Sequence, residues 1–161
     1  MSKINYPVTP AIRYLNEKNI IYKCHQYNYE DKGGTSQTAT ELNVDEHSVI
    51  KTIVVDADGQ EVIVLMHGDL EVSTKELARI IGAKKAEPAT ADKATKATGY
   101  QFGGTSPFGT KKQIPTYIEQ TLLELPTIYI NGGKRGFILE MAMEELQKAV
   151  SLVPVNVGIK K

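Results

Sequence analysis

Two β-branched runs, Ile53-Val54-Val55 and Val62-Ile63-Val64-Leu65-Met66, flank the segment Asp56-Ala57-Asp58-Gly59-Gln60, and no other stretch restricts the fold as much. Asp-Gly supplies the left-handed residues that a tight hairpin turn demands, so the two runs are predicted to pair antiparallel in a central sheet. Around this hairpin the chain interleaves strand-like and helix-like segments without a strict βαβ repeat. The expected class is therefore mixed α/β (α+β), a mixed sheet with helices around it.

The helices announce themselves by their ends. Thr9-Pro10 precedes Ala11, Ile12 and Leu15, with a stop at Asn19, and reads as an N-cap followed by proline at the first helical position. Ser73-Thr74-Lys75-Glu76 has the spacing of a capping box ahead of Leu77, Ala78, Ile80 and Ile81, and Gly82 closes that helix. An Ala- and Thr-rich helix is predicted over 91–98, ending at Gly99, and others over 36–42 and 143–150, while Asp45 caps one further turn. Strands are expected over 20–29, 49–55, around 116–118 and 127–130, and over 137–141.

Periodicity fails between Gly99 and Pro115, in Gly99-Tyr-Gln-Phe-Gly-Gly-Thr-Ser-Pro-Phe-Gly-Thr-Lys-Lys-Gln-Ile-Pro115. Glycine is entropically expensive, so its clustering implies positive φ or close approach to the main chain. Pro107 fixes its own φ and biases Ser106 toward extended backbone. A stiff rim of outward N–H groups would result, suited to an oxyanion, a phosphate or a carbonyl oxygen. Two further stretches fit the same pocket: Lys51-Thr52 inside the first β-branched run, and Tyr129-Ile-Asn-Gly-Gly-Lys-Arg-Gly136, where an apolar run ends in a second glycine-rich turn. Lys51 is either a charge guarding an edge strand or a cation aimed into the pocket. Tyr27 and Tyr129 are core aromatics or pocket walls.

Composition removes several alternatives. Nineteen Lys and Arg balance nineteen Asp and Glu, so there is no general field for nucleic acid, and DNA reading is not expected. Short basic pairs such as Lys84-Lys85, Lys111-Lys112 and Lys134-Arg135 read as scattered solvated charge. One cysteine, Cys24, allows no intramolecular disulfide and reads as a small apolar residue of a strand rather than a nucleophile. His25, His47 and His67 fall on different elements with no metal-ligand spacing. Ser106 lacks the Gly-x-Ser-x-Gly elbow, and 103–109 lacks the Gly-Lys-Ser/Thr ending of a nucleotide loop. The start, Met-Ser-Lys-Ile-Asn-Tyr-Pro, shows no apolar leader and no run suits a membrane helix, so a cytoplasmic, membrane-independent, single domain over 1–161 is expected.

The ordered set Thr9-Pro10-Ala11, Lys51-Thr52, Lys84-Lys85, Thr98-Gly99-Tyr100, Gly103-Gly104-Thr-Ser-Pro107-Phe-Gly109 and Ile128-Tyr-Ile-Asn-Gly-Gly-Lys-Arg-Gly136 strongly resembles the YbaK/EbsC branch of the prolyl-tRNA synthetase editing-domain superfamily, the free-standing aminoacyl-tRNA deacylases. The resemblance covers about Pro7 to Val153. It implies a curved, partly barrel-like sheet and removal of a wrong amino acid from tRNA, typically cysteine from tRNA(Pro), with no metal or other cofactor. It also implies Lys51 as the catalytic cation. Gly103, Gly104, Thr105, Ser106 and Pro107 become a backbone cradle for the aminoacyl ester and terminal adenosine, with Gly109 a further substrate-binding residue. Asn131, Gly132 and Gly133 form a second wall, and Tyr27 and Thr52 contact substrate. Departures at Gly33-Gly34-Thr35 and Ile138, both beside the expected amino-acid pocket, leave alanine or serine open as substrates. A non-catalytic module that binds aminoacyl-tRNA is the alternative from another class. Prolyl-tRNA synthetase is the partner expected to hand over tRNA.

Overall fold

The computed structural model describes residues 5–161; Met1 to Ile4, the first part of the stretch read for a leader, lie outside them. Thr9 caps α1 (Pro10–Glu17) by accepting from the Ile12 N–H at 3.2 Å. Strand β1 (Lys23–Gln26) is shorter than the 20–29 run, because only four residues find a partner strand. Helix α2 (Gly34–Leu42) starts two residues before the expected Ser36, and Asp45 caps the 3₁₀ turn Glu46–Ser48 through the His47 N–H.

Strands β2 (Val49–Ala57) and β3 (Gln60–His67) form the hairpin, with Asp58 and Gly59 in the left-handed region at φ of 53° and 89°. Next come β4 (Leu70–Val72) and α3 (Thr74–Ile81). The Ser73 hydroxyl accepts from the Glu76 N–H at 3.2 Å, but the Glu76 carboxylate turns to Arg79, so half of the capping box forms. Strand β5 (Ala86–Pro88), α4 (Ala91–Thr98), β6 (Thr116–Glu119), β7 (Thr127–Lys134), β8 (Phe137–Ala142), α5 (Met143–Ala149), β9 (Val153–Val155) and β10 (Gly158–Lys160) complete the described chain. Strands β4, β5, β9 and β10 were not legible in the sequence, since three residues carry too little alternation to register.

The main sheet runs β1-β8-β7-β2-β3-β6-β9, with β5 on β2, while β10 pairs β4 in a ribbon of its own. Strand β2 pairs antiparallel with β3 and parallel with β7, so the sheet is mixed as expected. One face carries Ile50, Val54, Leu65, Ile130 and Leu139 in the larger core, which α1 and α5 cover; the other carries Val55, Val64 and Met66 against Leu77 and Val155. That split follows the two-residue period of β2 and β3.

The expected glycine turn after Ile130 is a correction. Strand β7 continues through Gly132 and Gly133 to Lys134 across a register shift, and the turn falls at Arg135-Gly136. Asn131 Oδ1 holds the irregular backbone by accepting from the Gly133 and Lys134 N–H groups at 2.7 and 3.2 Å. No helix among the described residues is long and apolar enough to cross a membrane.

Candidate functional site

A cavity of about 390 Å³ opens where the sheet splits along β2. Strand β7 pairs β2 only at Val49 and Ile50, and β5 pairs it only from Val55 onward. Val49 O accepts from Gly68 N on the β3 side, and Val54 O accepts from Ala89 N on the β5 side. Main-chain groups of alternate β2 residues therefore face opposite edges, and those of Thr52 face the uncovered gap. The Thr52 hydroxyl is buried without a hydrogen-bond partner, the sole such side-chain atom among the described residues. Buried polar groups are nearly always paired, so this hydroxyl is an unmet group offered to whatever enters.

Lys51 adjoins it on the opposite face of β2. That face carries Val49 and, across β7 and β8, Tyr129, Asn131 and Ile138. One further step of the parallel register would set Lys51 beside Asn131, at the point where the strands part. Its ammonium donates to Leu70 O at 2.7 Å, which anchors the side chain within the fold. Because β2 is flanked by β7 and β3, the edge-strand reading of Lys51 falls away. Burial pushes the ammonium below the usual lysine range and Lys161 pushes the same way, against Glu71, Glu46 and Asp69.

The 99–115 loop forms one rim of the cavity through Phe102, Gly103 and Thr105. Its far side is a plug in the core: Ser106 and Phe108 are fully buried, the Phe108 N–H donates to Ser106 Oγ at 3.1 Å, and the Tyr100 hydroxyl donates to Phe108 O. Burial pushes the Tyr100 phenol up to about 12, so it stays a donor. The collar of free N–H groups is narrower than the glycine count suggests, because Gly104 N donates to Gln101 O at 2.8 Å. Asn131 ties the loop to β7 by donating from Nδ2 to Gly103 O at 3.4 Å.

Tyr27, Lys51, Thr52, Gly103, Thr105 and Asn131 thus meet at one cavity. Gly104, Ser106, Pro107, Gly109, Gly132 and Gly133 do not line it and stand behind its walls. A Cβ on Gly104 would lie 2.9 Å from Arg135 N, and one on Gly132 would lie 2.7 Å from the Phe137 ring, so these glycines permit close packing. Gly109 packs on Pro10 O, and Gly133 at φ 100° packs on Tyr100. Residues not named from the sequence as contacts also line the cavity, among them Tyr29, Lys32, Thr38 and Phe102. The spacing of Tyr27 and Tyr29, two apart after a strand, was a usable signal for one of them.

Two of the histidines meet in space although nothing in their sequence spacing shows it. His47 and His67, from different elements, stack at 3.6 Å between centroids, and with Asp69 they bring ligand atoms within 4.8 Å of one another. Both ring nitrogens of buried His67 are engaged, Nδ1 with His47 O and Nε2 with Thr121 Oγ1, each at 2.6 Å. His47 Nδ1 lies 2.9 Å from Asp69. An ion here would have to displace the His67 bonds, so the cluster is best read as a hydrogen-bonded brace between β3 and the turn before β2. Cys24 is half-buried in β1, and burial pushes its thiol up, away from the thiolate a nucleophile needs.

Comparison with known proteins places this geometry in context. Residues 30–149 match the family described as the aminoacyl-tRNA editing domain. Over 140 residues the chain is 32% identical to EbsC of Enterococcus faecalis, named a candidate Cys-tRNA(Pro)/Cys-tRNA(Cys) deacylase, with 86% of this chain and 85% of that one covered. A proline–tRNA ligase of Lactobacillus gasseri is 27% identical over 96 residues, which make up 60% of this chain but 17% of the ligase. A solved candidate trans-editing enzyme for prolyl-tRNA synthetase superposes with a TM-score of 0.82 at 18% identity, covering 96% of this chain and 99% of that one, a likeness of fold.

Proposed function

Because this chain belongs to the family of aminoacyl-tRNA editing domains and is an aminoacyl-tRNA deacylase, we propose that its substrate is cysteinyl-tRNA(Pro) and that Lys51 and the collar carry the reaction. The observation behind this reading is the gap beside β2, where Lys51 and Thr52, with its unpartnered hydroxyl, line the same cavity as Gly103 and Thr105 of the loop. An aminoacyl ester is already activated, so orientation and stabilisation of negative charge on its carbonyl oxygen suffice. The Lys51 ammonium and the Gly103 and Thr105 N–H groups supply the charge and the donors. Thr52 and Asn131 hold the aminoacyl group.

With cysteine as the side chain, the substrate thiol attacks its own ester carbonyl. The S–C bond forms, the C–O bond to the ribose breaks, and the thiol proton passes to the departing ribose oxygen. The products are a cyclic thioester and uncharged tRNA, and no protein nucleophile takes part. The name of the Enterococcus faecalis relative supports cysteine as the substrate. The described chain works as one editing domain in the cytoplasm, and with a net charge of +0 it depends on prolyl-tRNA synthetase to present the tRNA.

The test is a deacylation panel of cysteinyl-, alanyl- and seryl-tRNA(Pro) with wild type and Lys51→Ala. Cysteine release that collapses in the variant is the expected result. Equal rates from both proteins would overturn the role of Lys51, and preferential alanine or serine release would reassign the substrate. Binding of aminoacyl-tRNA without release would leave a binding module.

A further inference from the structure

The corner of the cavity mouth built by Phe102, Tyr29 and Arg135 is not used by the chemistry above. Phe102 is 69% exposed, immediately before Gly103, and its ring pairs with no other aromatic among the described residues. Its backbone is nonetheless held firmly, because Arg135 Nε donates to Phe102 O at 2.8 Å. The same guanidinium lies over the Tyr29 ring, 5.3 Å from its centroid. The corner is tight as well: a Cβ on Gly103 would lie 2.9 Å from the Tyr29 hydroxyl and 3.2 Å from Arg135 Nε. A pinned phenyl with an open face, a cation engaged on a second ring and Lys32 on the same rim together make a surface for a flat π-system carrying negative charge.

We propose that Phe102 is a stacking platform for the unpaired base of the terminal nucleoside of the tRNA, with Arg135 as its positioning residue. This rests on the deacylase reading, since it is the ester at Lys51 and the collar that brings the base to this corner. Phe102 adjoins Gly103 on the cavity rim and is the most exposed of the aromatic residues that line the cavity, so its ring is open beside the collar where the ribose would sit. Base stacking on an aromatic side chain tolerates sequence differences and needs no net positive field, which suits a neutral chain.

The experiment uses a short uncharged single-stranded RNA ending in CCA, with 2-aminopurine in place of the terminal adenine, and a matched oligomer whose terminal residue is abasic. Wild type and Phe102→Tyr should quench the 2-aminopurine and prefer the intact end. Phe102→Ala should bind it roughly 5- to 150-fold more weakly and lose the preference over the abasic oligomer. In deacylation the loss should appear mainly as a raised KM, with kcat little changed. Wild-type affinity in a folded Phe102→Ala protein, no preference for the intact end, or no binding by wild type would each overturn the platform. Base-dependent binding by a wild type that releases no amino acid would uphold the platform and defeat the proposed function.

Discussion

The two ends of strand β2 each place one charged residue after a pair of β-branched residues, and they meet opposite fates. At its C-terminal end, β5 and the hairpin turn cover the strand, and Asp56 meets Lys93 at 2.5 Å. That lysine lies above its usual range and that carboxyl below its own, each because of the other. Toward the N-terminal end, β7 has turned away and β5 has not begun. Among the described residues, the lysine there hydrogen-bonds a backbone carbonyl, its burial lowers it, and the neighbouring threonine hydroxyl has no partner. A charged side chain of β2 is therefore paired with an opposite charge or tied to a backbone carbonyl according to what covers the strand beside it.

Lys51→Ala should break the contrast most severely, with a fall in kcat/KM of roughly 10²- to 10³-fold, the scale of removing one donor to a developing oxyanion. Gly104→Ala should follow. A methyl 2.9 Å from Arg135 N has no flexible neighbour to displace, so the collar must shift and deacylation should fall roughly 10-fold or more, read beside thermal melting. Thr52→Val removes the orphaned hydroxyl at nearly constant shape. Stability should hold or rise by about 1 kcal/mol, since an unmet buried group is lost, while KM for aminoacyl-tRNA increases.

The pH dependence separates the two ends by sign. If the protonated Lys51 is the working form, deacylation corrected for spontaneous hydrolysis should fall on an alkaline limb below the ordinary lysine value of about 10.4. Lys161→Ala should move that limb upward, because Lys161 adds to the lowering. For stability, a lowered lysine carries a cost that is present below its folded value and relieved as pH rises toward the unfolded one. Asp56, also lowered, contributes stability at neutral pH that is lost as pH falls through its folded value. Asp56→Asn, the smallest change, should leave kcat/KM at the wild-type value, and a loss of activity there would erase the distinction between the ends.

Local signals carried much of the fold. Thr9-Pro10, Ser73, Gly82, Gly99 and Asp58-Gly59 mark helix ends and a turn by short-range sterics and hydrogen bonds, and each sits where such chemistry puts it. The three-residue strands did not carry a comparable signal, because β5, β9 and β10 are ordered by partners far along the chain. The cavity was legible only in part. Glycines 103, 104, 132 and 133 look alike in sequence, yet Gly103 faces the opening while the other three serve close packing behind it.

By itself the sequence determined the hairpin, the capped ends of α1, α3 and α4 and the irregular glycine loop, since capping, turn geometry and periodicity act within a few residues. Only the tertiary structure decided that β7 and β5 leave a gap at Thr52, that His47 and His67 meet, and that Phe102 stands open at the mouth. Those outcomes depend on which distant strands pair and where their pairing stops, a choice set by packing of the whole sheet rather than by any local preference.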